Sequence, residues 1–111
     1  MRLFSILMAI SMLSFVAMPS TVEARNFIRG DANSDGGVDI SDYFFLMAYL
    51  WQGGSTPSCM DAADVNDDGQ VDNTDVVYLY NCLFGGGNCP PSGCGADTTS
   101  DSLTCVYSPC P

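Results

Sequence analysis

Apolar residues in this 111-residue chain collect in three runs, separated by polar stretches rich in glycine and aspartate. The first run covers residues 3–18, the second 43–51 and the third 76–84. Each inner run follows an acidic segment and stops at glycines, which often end helices. Two short helices are therefore predicted, although the Val, Tyr and Phe in these runs also suit strands.

The first apolar run has the features of a secretory signal peptide. Met1-Arg2 provides a basic start, Pro19 breaks the apolar run, and small residues lead to Ala24. A run limited to residues 3–18 is short for a membrane-spanning helix, although an uncleaved anchor is the alternative. We expect a Sec-type signal peptide over residues 1–24, cleavage after Ala24, and a secreted or extracytoplasmic mature chain.

Two twelve-residue acidic segments, 33 residues apart, precede the inner apolar runs. Oxygen-bearing side chains occupy positions 1, 3, 5, 9 and 12 of each, with glycine at 6 and valine at 8. This is the pattern of a calcium loop, in which position 7 contributes its backbone carbonyl. Two copies in one register favour two bound calcium ions over a merely solvated acidic loop. The candidate ligands are Asp31, Asn33, Asp35, Gly37, Asp39 and Asp42 in the first loop, and Asp64, Asn66, Asp68, Gln70, Asp72 and Asp75 in the second.

The loops decide between helix and strand for the runs that follow them. A calcium loop of this type passes its last carboxylate to the first turn of a helix, which places Asp42 and Asp75 at helix starts. The segments before the loops are too short for stable entry helices. We expect the two helices to pack by pairing Leu46, Tyr49 and Leu50 against Leu79, Cys82 and Leu83.

The predicted fold is therefore a small all-α domain over residues 25–87. It consists of two calcium loop-helix repeats packed as a pseudo-symmetric pair, followed by a disulfide-tied irregular tail over residues 88–111. A core of this size barely offsets the entropy of ordering the chain. We expect metal and disulfides to supply the difference, and the calcium-free form to be loose or unfolded.

Charge and residue content narrow the function classes. The chain has 13 acidic and three basic residues and no histidine, so nucleic acid and anionic membranes are poor partners. After Ala24 it also lacks glutamate and lysine, and we predict no catalytic residue. Nothing in the sequence makes the remaining aspartates a catalytic pair. Two of them, Asp97 and Asp101, also lack the glycine spacing of a calcium loop, so a third site is not expected.

The six cysteines imply disulfides if the chain is secreted, because such short chains use them in place of a large core. Six cysteines allow 15 pairings, and the sequence leaves the choice open. Zinc is disfavoured because there is no histidine and no CxxC pair. A buried thiol is the alternative for Cys82. The cysteines are Cys59, Cys82, Cys89, Cys94, Cys105 and Cys110.

Over about residues 29–86, the chain resembles the type I dockerin repeat, in which two DxNxDGxVxxxD loops are each followed by one helix. The segments Arg29-Gly-Asp-Ala-Asn33, Asp61–Gly69 and Cys94-Gly-Ala-Asp97 also resemble dockerin-like proteins of environmental bacteria. The resemblance implies a calcium-dependent docking module for a cohesin on a scaffold or surface protein. It also implies a link with polysaccharide breakdown by association, because such modules accompany glycoside hydrolases.

The resemblance implies partner-reading positions as well, at loop positions 10 and 11 and on the exit helix. Ser41 and Thr74 keep the hydroxyls of the family pattern, but neither helix carries its basic pair, and the two faces differ. The implied residues are Ile40, Ser41, Met47 and Ala48 in the first copy, and Asn73, Thr74, Tyr80 and Asn81 in the second.

Nine successive apolar residues, 43–51, exceed what one packed helix face needs. Some of Tyr43, Phe44, Met47 and Trp51 should therefore be exposed for an interface, or else lie beneath the tail. The alternative to docking is a calcium-stabilised structural protein of the cell surface. A calcium sensor is disfavoured because there is no helix pair to open. A thrombospondin-like calcium repeat would show shorter periods and no nine-residue apolar runs.

Overall fold

The computed structural model describes residues 25–111, so the predicted signal peptide lies outside the described residues. Within that range, no helix is long and apolar enough to cross a bilayer. The elements in chain order are strand β1 (Phe27–Ile28), helix α1 (Ile40–Trp51), helix α2 (Met60–Ala63), helix α3 (Asn73–Phe84) and strand β2 (Cys94–Gly95).

Helices α1 and α3 each have 12 residues, and Asp42 and Asp75 lie in their first turns, as predicted. The side chains of Asp39 and Asp72 accept hydrogen bonds from the first-turn N–H groups of Ser41 and Thr74. In α1, Asp42 in turn accepts from the backbone N–H of Asp39, which completes a capping box. The last three positions of each loop therefore already belong to the helix that follows it.

The short helix α2 precedes the second loop, where the sequence indicated no entry helix. Its four residues are held by bonds from the N–H of Ala63 to the carbonyl of Cys59 (3.2 Å) and from the N–H of Asp64 to the carbonyl of Met60 (3.0 Å). A single turn is marginal by itself, but Ala62 and Ala63 are buried. Packing therefore stabilises a helix that local propensity does not. The first loop, by contrast, is entered from β1.

The main core lies where α1 and α3 pack together. Leu46 and Leu79 are fully buried at its centre, and Leu50 and Leu83 pack against its edge, as predicted. Two predicted members do not belong to this cluster: Tyr49 lies outside it, and Cys82 forms a disulfide with Cys89. That disulfide excludes the free-thiol alternative. The other buried members of the cluster are Ala32, Ala63, Val65 and Val76.

The tail packs against β1 and α2. Strands β1 and β2 pair antiparallel, with Phe27 opposite Gly95 and Ile28 opposite Cys94. Phe27, Ala62 and the bonded pair Cys59–Cys105 form a second buried cluster there. The remaining disulfide of residues 25–111, Cys94–Cys110, closes the tail on itself. The small helical fold with disulfides is thus confirmed, and the pairing that the sequence left open is now assigned.

Candidate functional site

The first loop brings three carboxylates together. Asp31 follows β1, Asp35 lies at the turn, and Asp42 belongs to the first turn of α1. One oxygen from each lies within 4.8 Å of the others. Asp31 and Asp42 are buried whereas Asp35 is exposed, so the cluster opens to solvent at Asp35.

The second loop repeats this arrangement between α2 and α3. Asp64 and Asp75 are both fully buried, and Asp68 is exposed. One oxygen from each of the three again lies within 4.8 Å of the others. Each cluster therefore joins the start of a loop to the first turn of the helix that follows it.

Backbone hydrogen bonds hold the buried carboxylates in place. In the first loop, Asp31 accepts from the N–H groups of Asp35 and Gly36, both at 3.0 Å. Asp42 accepts from those of Asn33 (3.1 Å) and Asp39 (2.9 Å). Gly36 makes the turn at φ 95°, a conformation that a side chain would disfavour. The same four bonds recur in the second loop, where Asp64 accepts from Asp68 and Gly69, and Asp75 accepts from Asn66 and Asp72.

The other predicted ligands surround these clusters without joining them. Asp39 and Asp72, at loop position 9, cap α1 and α3 instead, and position 9 of such loops often reaches calcium through a water. Asn33 accepts from the N–H of Asp35 and donates to Ser41. Asn66 makes the matching contacts with Asp68 and Thr74, while the N–H groups of Gly37 and Gln70 donate to Asp35 and Asp68.

Burial makes the inner carboxylates reluctant to ionise. It raises the pKa of Asp42 to about 6 and that of Asp75 to about 7, against the lowering effect of their backbone hydrogen bonds. Burial also raises the pKa values of Asp31 and Asp64. A divalent cation would neutralise this crowding, and an all-oxygen set is what calcium and magnesium prefer. The residues present therefore fit a hard cation in both loops.

Arg29 is a structural residue that the sequence did not indicate. Its guanidinium donates to the carbonyl of Asp64 at 2.6 Å and to the carboxylate of Asp97 at 3.2 Å. It also lies 3.3 Å from the carboxylate of Asp67. Arg29 thus ties the second loop to the tail. The sequence offered one indication of this role, which is that basic residues are rare: only two arginines and no lysine accompany 12 aspartates after residue 24.

The candidate partner residues lie on α1 and α3, and one of them, Met47, packs against the main core cluster. Met47 and Ala48 are half-buried, the latter beside the turn in which Gly54 donates to its carbonyl. Ser41 and Thr74 are exposed, but their hydroxyl groups donate to the capping aspartates. The remaining four, Ile40, Asn73, Tyr80 and Asn81, are exposed.

Both helices also expose large apolar side chains, which we call the aromatic face: Phe44, Trp51, Val77, Tyr80 and Phe84. Phe44 and Trp51 are 60% and 57% exposed, so the tail does not cover them. The ring of Tyr80 lies 5.5 Å from that of Phe84 and 5.8 Å from that of Tyr43 on α1. A shallow groove of about 270 Å³ between the helices is lined by Tyr43, Trp51, Val76, Val77 and Tyr80.

Comparison with known proteins gives one family. The model of the dockerin type I domain matches residues 29–84, half of the chain. The matched segment contains both loops and α1, α2 and α3, and it ends before the tail. No curated protein and no solved structure matches the chain.

Proposed function

Because the chain belongs to the dockerin type I family, we propose that it is a calcium-dependent docking module that binds a cohesin-type partner through α1 and α3. Dockerin domains dock to cohesins and are not catalytic. The observation that supports the proposal is that both loops connect a carboxylate cluster to a helix with exposed apolar residues. Each carboxylate cluster ends in the first turn of a helix, and the outer side of that helix presents apolar residues.

Each loop holds one calcium ion in this proposal, so that the two loop-helix units form a matched pair. Calcium, when bound, supplies the positive charge that lets three crowded carboxylates ionise together. Because Asp31 lies at the start of its loop and Asp42 lies in α1, joining them fixes the direction of α1. Asp64 and Asp75 do the same for α3. Metal binding therefore sets the geometry of the docking surface.

The aromatic face is the proposed contact surface. Aromatic side chains and Met are enriched at the buried centres of protein interfaces. The two helices differ, however, since Met47 and Ala48 on α1 correspond to Tyr80 and Asn81 on α3. A partner surface that fits the residues of α1 therefore does not fit those of α3 equally well. We propose that the partner docks in a single orientation. Neither helix carries a basic residue, so the partner surface is apolar instead of acidic.

We place this module outside the cytoplasm. Three disulfides within residues 25–111 are characteristic of oxidising compartments, and residues 1–24 have the pattern of a signal peptide. Any part in polysaccharide breakdown would then depend on the protein to which the module docks.

The test combines calcium binding with partner binding. Calcium is titrated by calorimetry into the oxidised, metal-stripped protein while helix content is followed by circular dichroism. The same protein is then passed over an immobilised type I cohesin domain in calcium and in chelator. Gain of helix with calcium, and cohesin binding only in calcium, would support docking. Calcium-dependent folding without cohesin binding would instead support a structural calcium-binding protein of the cell surface.

A further inference from the structure

A third group of carboxylates lies outside the two loops. One oxygen each from Asp61, Asp97 and Asp101 lies within 4.8 Å of the others. Asp61 belongs to α2, whereas Asp97 and Asp101 come from the tail, beyond the segment that matches the family model. The pairing of β1 with β2 and the Cys59–Cys105 disulfide bring these distant segments together.

Two oxygens in this group are buried and lack a hydrogen-bond partner among residues 25–111. They are Oδ1 of Asp61 and Oδ2 of Asp101. Asp61 is only 8% exposed, so solvent does not compensate. A buried carboxylate oxygen without a donor is costly, and native structures contain few of them. The loop carboxylates of Asp31 and Asp42 differ, because backbone N–H groups donate to both oxygens of each.

Arg29 gives neither of these two oxygens a hydrogen bond. Its guanidinium is directed at Asp97 and Asp67, and toward Asp61 it donates only to the backbone carbonyl, at 3.3 Å. On Asp97 the bond from Arg29 and those from Thr99 all end on Oδ1. The charge of Arg29 favours ionisation of Asp61, but burial and the neighbouring carboxylates Asp97 and Asp101 oppose it more strongly.

We propose that Asp61, Asp97 and Asp101 form a third calcium site, which fastens the tail to α2. The donors are all carboxylate oxygens, a set that selects a hard divalent cation over a soft one. The two donor-free oxygens would gain a ligand, and the repulsion among the three carboxylates would be relieved. Burial raises the pKa of the Asp61 carboxyl to about 7, and repulsion from Asp97 and Asp101 adds to the effect.

This site shares no residue with the two carboxylate clusters of the loops, although Asp101 also lies within 4.8 Å of Asp64. Its role is to join the tail to the docking domain, on the side where β1 and α2 lie. The site does not require a cohesin to be bound. The tail residues that form it fall outside the spacing of a calcium loop, which is why the sequence did not predict it.

The test counts calcium ions at saturation. The oxidised protein is equilibrated by gel filtration in buffer of fixed millimolar free calcium, and bound calcium is measured by atomic emission. We expect three ions per chain, two in Asp61→Asn and two in Asp101→Asn. Asp67→Asn is the matched control, because it removes a neighbouring charge but leaves the three carboxylates in place, and it should keep three ions.

Three results would overturn the site: two ions in the parent protein, three ions retained in Asp61→Asn, or equal loss in Asp67→Asn. The last would move the ion to Asp64, Asp67 and Asp101, which also lie within 4.8 Å of one another. Should Asp61→Asn fail to fold, Asp101→Asn at its half-buried position tests the same site. In chelator Asp61→Asn should melt at a higher temperature than the parent, since it removes a buried, crowded charge.

Discussion

At the scale of single residues, buried aspartates are the most informative feature of this protein. Asp42, Asp64 and Asp75 are fully buried, and Asp31 is 1% exposed. Hydrogen bonds from backbone N–H groups orient these carboxylates but do not cancel their charge. Ionising them together without a cation is unfavourable, because burial and mutual repulsion both oppose it. Binding of a cation would therefore add directly to the free energy of folding of the loops.

Removing the first carboxylate of either loop should remove one ion. Asp31→Ala and Asp64→Ala each take away a buried member of one cluster and leave the other cluster intact. Calorimetric titration should then show the number of bound calcium ions lowered by one in each variant. Asp67→Asn, which lies in the second loop outside its cluster, should leave the number unchanged. A full complement of ions in either alanine variant would refute the ligand assignment.

Calcium affinity should fall on acidification through the pKa values of the buried loop carboxyls, about 6 for Asp42 and about 7 for Asp75. Both values lie above the ordinary 3.8. Below them the folded, metal-free protein holds protons that calcium must displace. Binding near neutral pH should thus release protons, which calorimetry in buffers of different ionisation enthalpy measures. Affinity that is equal at about pH 7.5 and about pH 5.5 would contradict this.

The metal-free protein should respond to pH in the opposite direction. Because the folded state has the higher pKa values, it binds more protons than the unfolded chain between the ordinary value of 3.8 and about 7. The stabilisation that protonation gives is complete below the unfolded value and is lost as pH rises through the folded values. In chelator, the melting temperature should therefore rise on acidification from neutral pH, whereas in calcium it should fall as the ions leave.

At the scale of the helices, one aspartate serves both the loop and the helix. Asp72 caps α3, while Asp68, four residues earlier, is an exposed member of the carboxylate cluster with no capping role. Asp72→Ala should cost helix α3 about 1 kcal/mol, the usual value of a lost N-cap. Without calcium, circular dichroism should show less helix in Asp72→Ala than in Asp68→Ala, although both should bind calcium less tightly. Equal helix content in the two variants would show that the Asp72 cap does not stabilise α3.

The aromatic face should carry most of the partner affinity. Tyr80→Ala removes an exposed ring that contacts the rings of Tyr43 and Phe84. Loss of a central aromatic residue from an interface costs about 2 kcal/mol of binding free energy, or roughly 30-fold in Kd. Tyr107→Ala is a matched control, because Tyr107 is similarly exposed but belongs to the tail. Cohesin binding should weaken in the first variant only. Equal Kd values for the two variants would place the interface elsewhere.

The parts of the site that depend on local spacing were predictable from sequence, and the parts that depend on distant segments were not. The spacing of ligand residues within a loop determines which side chains converge. The carboxylate clusters around Asp31 and Asp64 could therefore be predicted, because each lies within a single twelve-residue segment. Helix α2 and the role of Arg29 did not follow, since both depend on packing against residues more than 30 positions away. The capping role of Asp39 could have been deduced, because Asp at the N-cap with an acidic residue three positions on is a capping-box pattern.

At the scale of the whole molecule, the pairing of β1 with β2 and the disulfide Cys59–Cys105 hold the tail against the docking domain. The disulfide Cys59–Cys105 closes a loop with a sequence separation of 46, against 7 for Cys82–Cys89. By loop-closure entropy alone, these bonds restrict the unfolded chain by about 4 and about 2 kcal/mol at room temperature. The longer bond also positions Asp97 and Asp101 next to Asp61, so it should stabilise both the fold and the third calcium site.

Replacing both members of each disulfide by serine separates these effects. The Cys59→Ser, Cys105→Ser variant should lose more unfolding free energy in urea than the Cys82→Ser, Cys89→Ser variant, because it frees the longer loop. It should also bind calcium more weakly at the third site, because the tail carboxylates are no longer held against α2, while both loops keep their ions. The Cys82→Ser, Cys89→Ser variant should keep all three. A third ion bound with unchanged affinity after loss of Cys59–Cys105 would show that the pairing of β1 with β2 is sufficient to hold the tail in place.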